Sequence, residues 1–96
     1  TAPLPGGHRV TGVIDRLVVT PDRVRVIDYK TNRVTPDAPE FVPEGILRQM
    51  GAYVSALAEI YPGRAVTAEI LWTATGQVMP LPHDLLMAAL QRATAA

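Results

Sequence analysis

Asp15, Asp28 and Lys30 are the residues of this chain whose types and spacing could do chemistry. They stand in two segments, Gly12-Val13-Ile14-Asp15-Arg16 and Val26-Ile27-Asp28-Tyr29-Lys30-Thr31. Carboxylates are disfavoured beside like charges and on apolar strand faces unless something compensates them. A divalent cation is the usual compensation, and a cation beside a lysine suits the hydrolysis of phosphodiesters. A third segment, Gln49-Met50-Gly51-Ala52-Tyr53, sets a glutamine and a tyrosine four residues apart.

The elements that must position these groups can be read from the flanking residues. Arg9 to Val19 and Arg23 to Ile27 are rich in valine and isoleucine, and Thr20-Pro21-Asp22-Arg23 lies between them. Proline at the second position of a tight turn has its φ already set, so the pair reads as a β-hairpin. If Val19 faces Val24, paired positions sum to 43 and Asp15 falls opposite Asp28. Side chains alternate along a strand. Val13, Asp15, Leu17 and Val19 then share a face with Val24, Val26, Asp28 and Lys30. Two carboxylates and an ammonium converge at the open end of an apolar face. An isolated Asp-x-Lys is more often a solvated ion pair, worth little. An acid on the preceding strand in matching register favours a metal site instead.

Ile46 to Tyr61 predicts a helix. Ile46, Met50, Tyr53, Val54, Leu57 and Ile60 recur at three- and four-residue steps, with Arg48, Ala52, Ser55 and Glu59 opposite. Pro62-Gly63 ends it. Gln49 and Tyr53 become neighbours on the flank of the apolar stripe. On their own they read as a core-edge tyrosine beside a solvated glutamine; in a site they would hold DNA or the active-site strands. Ala65 to Thr73 and Gln77 to Leu81 read as strands, joined through Thr75-Gly76, and His83 to Ala93 as a terminal helix. Trp72 reads as a core or interface residue, and His8 and His83 as structural or solvated. The order β-β-α-β-β-α predicts an α/β fold with a central mixed sheet flanked by helices.

Composition narrows the classes. The 96 residues suffice for one small domain, and 48% hydrophobic content supports a core. There are no cysteines, which excludes a disulfide scaffold or a cysteine-ligated metal centre within this chain and agrees with a cytoplasmic setting. No apolar run reaches membrane-spanning length. The formal net charge is zero, so nucleic-acid contact must come from a local site or from neighbouring domains. Residues 1–8, rich in proline and glycine, read as a linker, residues 9–96 as the domain, and the whole as a piece of a longer protein.

The three segments in this order, G-x-x-D, then an apolar residue with D-Y-K-T, then Q-x-x-x-Y, resemble the nuclease domains of the RecB family within the PD-(D/E)xK superfamily. Val26 to Arg33, Leu47 to Tyr53 and Ile60 to Arg64 are the most similar stretches, and they look most like the C-terminal nuclease domain of AddA-type helicase–nuclease subunits. The resemblance runs from about residue 9 to residue 90. It implies a restriction-endonuclease-like core. It also implies that Asp15, Asp28 and the carbonyl of Tyr29 hold Mg²⁺ or Mn²⁺, and that Lys30 acts on the attacking water or the transition state. Gln49, Tyr53 and Thr31 would complete the pocket for DNA. The implied activity is exonucleolytic cleavage in double-strand-break repair and recombination, with linked helicase domains and an AddB-type partner subunit. The family's N-terminal helix has no counterpart before Arg9. That leaves, as the competing reading, a non-catalytic module that binds DNA or a subunit on the same fold.

Overall fold

The computed structural model describes residues 14–33 and 35–94. The linker, the N-terminal helix position and the start of the first strand at Arg9 lie outside the described residues. Among the described residues four strands form one sheet in the order β1-β2-β3-β4. Strand β1 (Arg16–Val19) pairs antiparallel with β2 (Arg23–Lys30). Val19 faces Val24, Leu17 faces Val26 and Arg16 faces Ile27, so the register is the one the turn predicts. The turn is closed by Thr20 N–H donating to the Arg23 carbonyl at 2.8 Å, and Thr20 Oγ1 donates to Asp22 Oδ1 at 3.1 Å.

Strand β2 runs to Lys30, as the shared face of Val24, Val26, Asp28 and Lys30 requires, although β1 pairs with it only as far as Ile27. Its other edge supplies the partner. Strand β3 (Ala65–Trp72) runs parallel to it over the whole length, pairing Asp28 with Ile70 and Lys30 with Trp72. A parallel pair requires a crossover, and helix α1 (Glu44–Ile60) provides it, entered through a 3₁₀ turn at Pro39–Phe41. Strand β4 (Gln77–Leu81) returns antiparallel to β3, and helix α2 (His83–Thr94) follows. The architecture is a mixed four-stranded α/β fold, as the segment order predicts.

Alternation decides which face is covered. Val24 and Val26 of β2, Ala68, Ile70 and Trp72 of β3, and Met79 and Leu81 of β4 are buried together with Met50, Tyr53, Val54 and Leu57 of α1. Burying a side chain such as Ile70 or Met50 contributes about 1.5–3 kcal/mol. Trp72 is fully buried, in keeping with a core role. Leu17 and Val19 share this face but stay 40% exposed, because β1 is an edge strand and α1 lies on β2 and β3.

The predicted stripe of α1 holds with two changes. Ile60 is 41% exposed and outside the core cluster: it is the last helical residue, where the periodicity persists but the covering elements end. Leu47, Gly51 and Ala56 are buried although they lie off the stripe, because α1 packs against α2 as well as against the sheet. Gly51 marks the closest approach. A Cβ there would stand 2.8 Å from the Leu86 carbonyl oxygen.

Candidate functional site

Along β2 the core-facing row runs Val24, Val26, Asp28, Lys30, from fully buried valines to a carboxylate and then an ammonium. The side chains of Asp28 and Lys30 are 15% and 27% exposed, and Nζ lies 3.0 Å from Asp28 Oδ2. The two groups are an ion pair by distance, yet the buried Oδ2 lacks a well-aligned hydrogen bond, and the Asp28 carboxyl is left to share a proton with Asp15. That combination leaves a charged oxygen in the interior without full compensation, which is costly unless something else occupies its lone pairs.

Asp15 stands beside this oxygen's strand in an unexpected way. Backbone pairing between β1 and β2 stops at Arg16 and Ile27. One residue further, the Asp15 carboxylate takes over the role of the missing main-chain partner: its Oδ2 accepts the Tyr29 N–H at 2.8 Å. The overhanging end of β2 is therefore tied to β1 by a side chain. The bond to the Tyr29 N–H, and secondarily a hydrogen bond shared with the Asp28 carboxyl, holds the Asp15 carboxyl below the usual carboxylate range. Burial pushes Asp28 the other way, Asp15 adds to that push, and Lys30 opposes it. Two acids whose environments drive them apart in this manner are typical of functional sites.

The helix contributes the third segment. Gln49 Nε2 donates to the Tyr53 hydroxyl at 3.1 Å, so the tyrosine proton stays available for donation. Burial raises the Tyr53 pKa; the Gln49 bond counters it, and the charges of Asp28 and Asp15 raise it further. Tyr53 therefore sits within electrostatic reach of the acids, and the structure brings together Asp15, Asp28, Lys30, Gln49 and Tyr53. The Tyr29 side chain is 40% exposed and, by alternation, on the opposite face of the sheet; its backbone is what belongs to the site. Thr31 follows the end of β2 and is exposed.

The sequence did not show Thr73 as a neighbour of the site, and it placed Trp72 in the core or at an interface without its tie to Lys30. Thr73 donates to the Lys30 carbonyl through both N–H at 2.8 Å and Oγ1 at 3.1 Å. Trp72, paired with Lys30, keeps its indole Nε1 buried without a partner. Neither carries a motif; the β2–β3 pairing that reveals them joins residues more than 40 positions apart.

The oxygen donors here suit a hard cation. Asp28 offers a buried oxygen lacking a well-aligned hydrogen bond and Asp15 a second carboxylate. Mg²⁺ commonly takes one or two carboxylates and fills its remaining positions with water and substrate phosphate. Among the described residues no group of three or more histidine, cysteine or acidic side chains is placed to hold a metal; Asp15 and Asp28 offer two carboxylates.

Residues 2–93 match the PD-(D/E)XK nuclease superfamily. An ATP-dependent helicase/nuclease subunit of Lactiplantibacillus plantarum is 36% identical over 69 residues. The aligned stretch is 72% of this chain and 5% of that relative's length. No solved structure matches the chain.

Proposed function

The chain belongs to the PD-(D/E)XK nuclease superfamily, and from that premise we propose that it is the nuclease domain of a DNA-cutting helicase–nuclease, with its reacting groups at Asp15, Asp28 and Lys30. The observation that carries this reading is the buried Asp28 Oδ2, which has an ammonium at 3.0 Å and no well-aligned hydrogen bond. Asp15 and Asp28, with the Tyr29 carbonyl, would hold Mg²⁺ or Mn²⁺. When bound, the cation supplies a more acidic water and a polarised phosphate.

The chain's own residues supply the remainder. Lys30 keeps a positive charge 3.0 Å from Asp28, where it can offset negative charge growing on a phosphate oxygen in the transition state. Asp15 fixes the Tyr29 peptide and hence the end of β2. Gln49 holds the Tyr53 hydroxyl with its proton free to meet a phosphate or a base, and Thr31, exposed just past the end of β2, would add a hydroxyl for DNA.

The relative is named as a subunit of an ATP-dependent helicase/nuclease. That supports linked helicase domains; exonucleolytic cutting during double-strand-break repair and recombination, a cytoplasmic location and an AddB-type partner subunit are the further parts of the proposal, and they rest on the sequence resemblance. Among the described residues no helix is long and apolar enough to cross a membrane.

Cleavage of a labelled single-stranded oligonucleotide by the full chain, with millimolar Mg²⁺ or Mn²⁺, tests the reading. Wild type should degrade it and Asp28→Ala should not, while helicase activity of the linked motor persists. Equal degradation by both proteins would sink the assignment. Metal and DNA binding without cutting by wild type would favour the non-catalytic module.

A further inference from the structure

The last three residues of β2 overhang β1, whose ladder ends at Ile27. Asp28, Tyr29 and Lys30 are held at one edge by the Asp15 carboxylate on the Tyr29 N–H. At the other edge they follow β3, and the final attachment is Thr73. The Thr73 N–H bond to the Lys30 carbonyl, at 2.8 Å, continues the parallel ladder. The Thr73 hydroxyl is an addition to it: Oγ1 donates to the same carbonyl at 3.1 Å. The carbonyl's two lone pairs are thus both engaged, and both bonds come from one residue.

Thr73 is itself fixed by the turn that it opens. Residues 73–76 form the β3–β4 turn, in which Gly76 adopts φ +71° and donates its N–H to the Trp72 carbonyl at 2.8 Å. A left-handed residue at that point suits glycine. Trp72, immediately before the turn, is fully buried. The turn is therefore anchored to the core on one side and grips the peptide of Lys30 on the other.

We propose that Thr73 is a positioning residue for Lys30, its hydroxyl fixing the Lys30 peptide so that the ammonium stays over Asp28 when Asp15 is drawn toward a ligand. The proposal rests on the nuclease reading above. A cation bound by Asp15 draws on the same carboxylate that accepts the Tyr29 N–H, and the clamp on the β1 side then weakens. The clamp on the β3 side involves no group with a role in the chemistry, so it persists. The structural alternative is a threonine that merely stabilises a turn, and such a residue would affect stability without affecting the ammonium.

The test compares Thr73→Val, which keeps the shape and loses the hydroxyl, with Thr73→Ser, which keeps the hydroxyl. Single-turnover cleavage of the oligonucleotide should fall about threefold to tenfold in Thr73→Val, the rate equivalent of one lost hydrogen bond. Thr73→Ser should restore it, and oligonucleotide affinity should be unchanged in both. Loss of cleavage in both variants alike, or wild-type rates in Thr73→Val, would overturn the proposal. The ¹³C shift of the Lys30 carbonyl reports the same bond without catalysis. It should move in Thr73→Val and not in Thr73→Ser, and absence of that movement overturns the proposal even if wild type cuts nothing. Movement of the shift with an inactive wild type would instead fault the nuclease reading.

Discussion

Strands β2 and β3 carry two charged clusters on opposite faces of one sheet. On one face Arg25 meets Glu69: Nε and a terminal guanidinium nitrogen both lie 2.6 Å from Oε1. The acid is 8% exposed, and its partner brings the opposite charge with donors to spare. On the other face Asp28 meets Asp15 and Lys30, and a buried oxygen still lacks a well-aligned hydrogen bond. The first cluster is complete within the chain. The second holds two negative groups against one positive group and is completed by adding positive charge. Burial alone does not mark a site, since Glu69 is the more buried acid. What marks it is burial combined with unmet bonding capacity.

Substitutions can break this contrast, and the largest effect should come from the incomplete cluster. Lys30→Ala is expected to slow single-turnover cleavage by roughly 10²–10³-fold, by analogy with the loss of a transition-state donor. Metal affinity should change little, because a protonated lysine has no lone pair to offer. A metal titration run beside the kinetics checks both. Collapse of metal affinity together with the rate would make Lys30 structural.

Next in size is the response to the cation itself. Mg²⁺ or Mn²⁺ at about 100 times its dissociation constant should stabilise the folded chain by about 2.7 kcal/mol, because the unfolded chain does not assemble the ligands. Thermal melts should show the shift in wild type and a much smaller one in Asp15→Asn. The Arg25–Glu69 cluster supplies the control, since Glu69→Ala should leave the metal-induced shift intact.

Glu69→Ala should instead destabilise the metal-free fold. Removing one partner of a fully buried pair costs about 3–5 kcal/mol. Here the Arg25 side chain is 37% exposed and can rehydrate, so about 1–2 kcal/mol is expected. Urea titration measures it. A neutral result would show that solvent already screens this pair as it does one on the surface.

The smallest effect has the opposite sign. Burial raises the folded-state pKa of Asp28. A raised carboxyl pKa means that the folded state holds the proton more tightly than the unfolded state. Its favourable contribution is present at low pH and is lost as pH rises through the raised value. Asp28→Asn should therefore stabilise the metal-free protein at neutral pH, by on the order of 0.2–1 kcal/mol. The gain should shrink toward about pH 3, where the ordinary carboxylate is protonated too. Asp15 is shifted down, so its contribution is present above the ordinary carboxylate pKa and fades as pH falls through the lowered one. A metal-free pH–stability profile of Asp28→Asn that ran parallel to wild type would contradict the assigned environment.

Local sequence determined the hairpin, its register and the segment that carries Gln49 and Tyr53. Those features depend on side-chain alternation, on a proline turn at Pro21 and on 3.6-residue periodicity, all of which act over a few residues. It also determined that Asp15 and Asp28 would approach each other, because a register fixed at Val19 and Val24 propagates along both strands. The tertiary structure decided what the acids do on arrival. That the Asp15 carboxylate replaces a backbone partner of Tyr29 follows from where β1 stops pairing, and no propensity records that position. That β2 has a partner from Asp28 to Lys30, beyond the end of β1, follows from β3, whose matching residues lie 42 positions further on. The same pairing delivers Thr73 to the Lys30 carbonyl and hides Glu69 behind Arg25. These outcomes depend on which strand lies beside which and on what covers each face, and both are settled only when the parallel crossover closes.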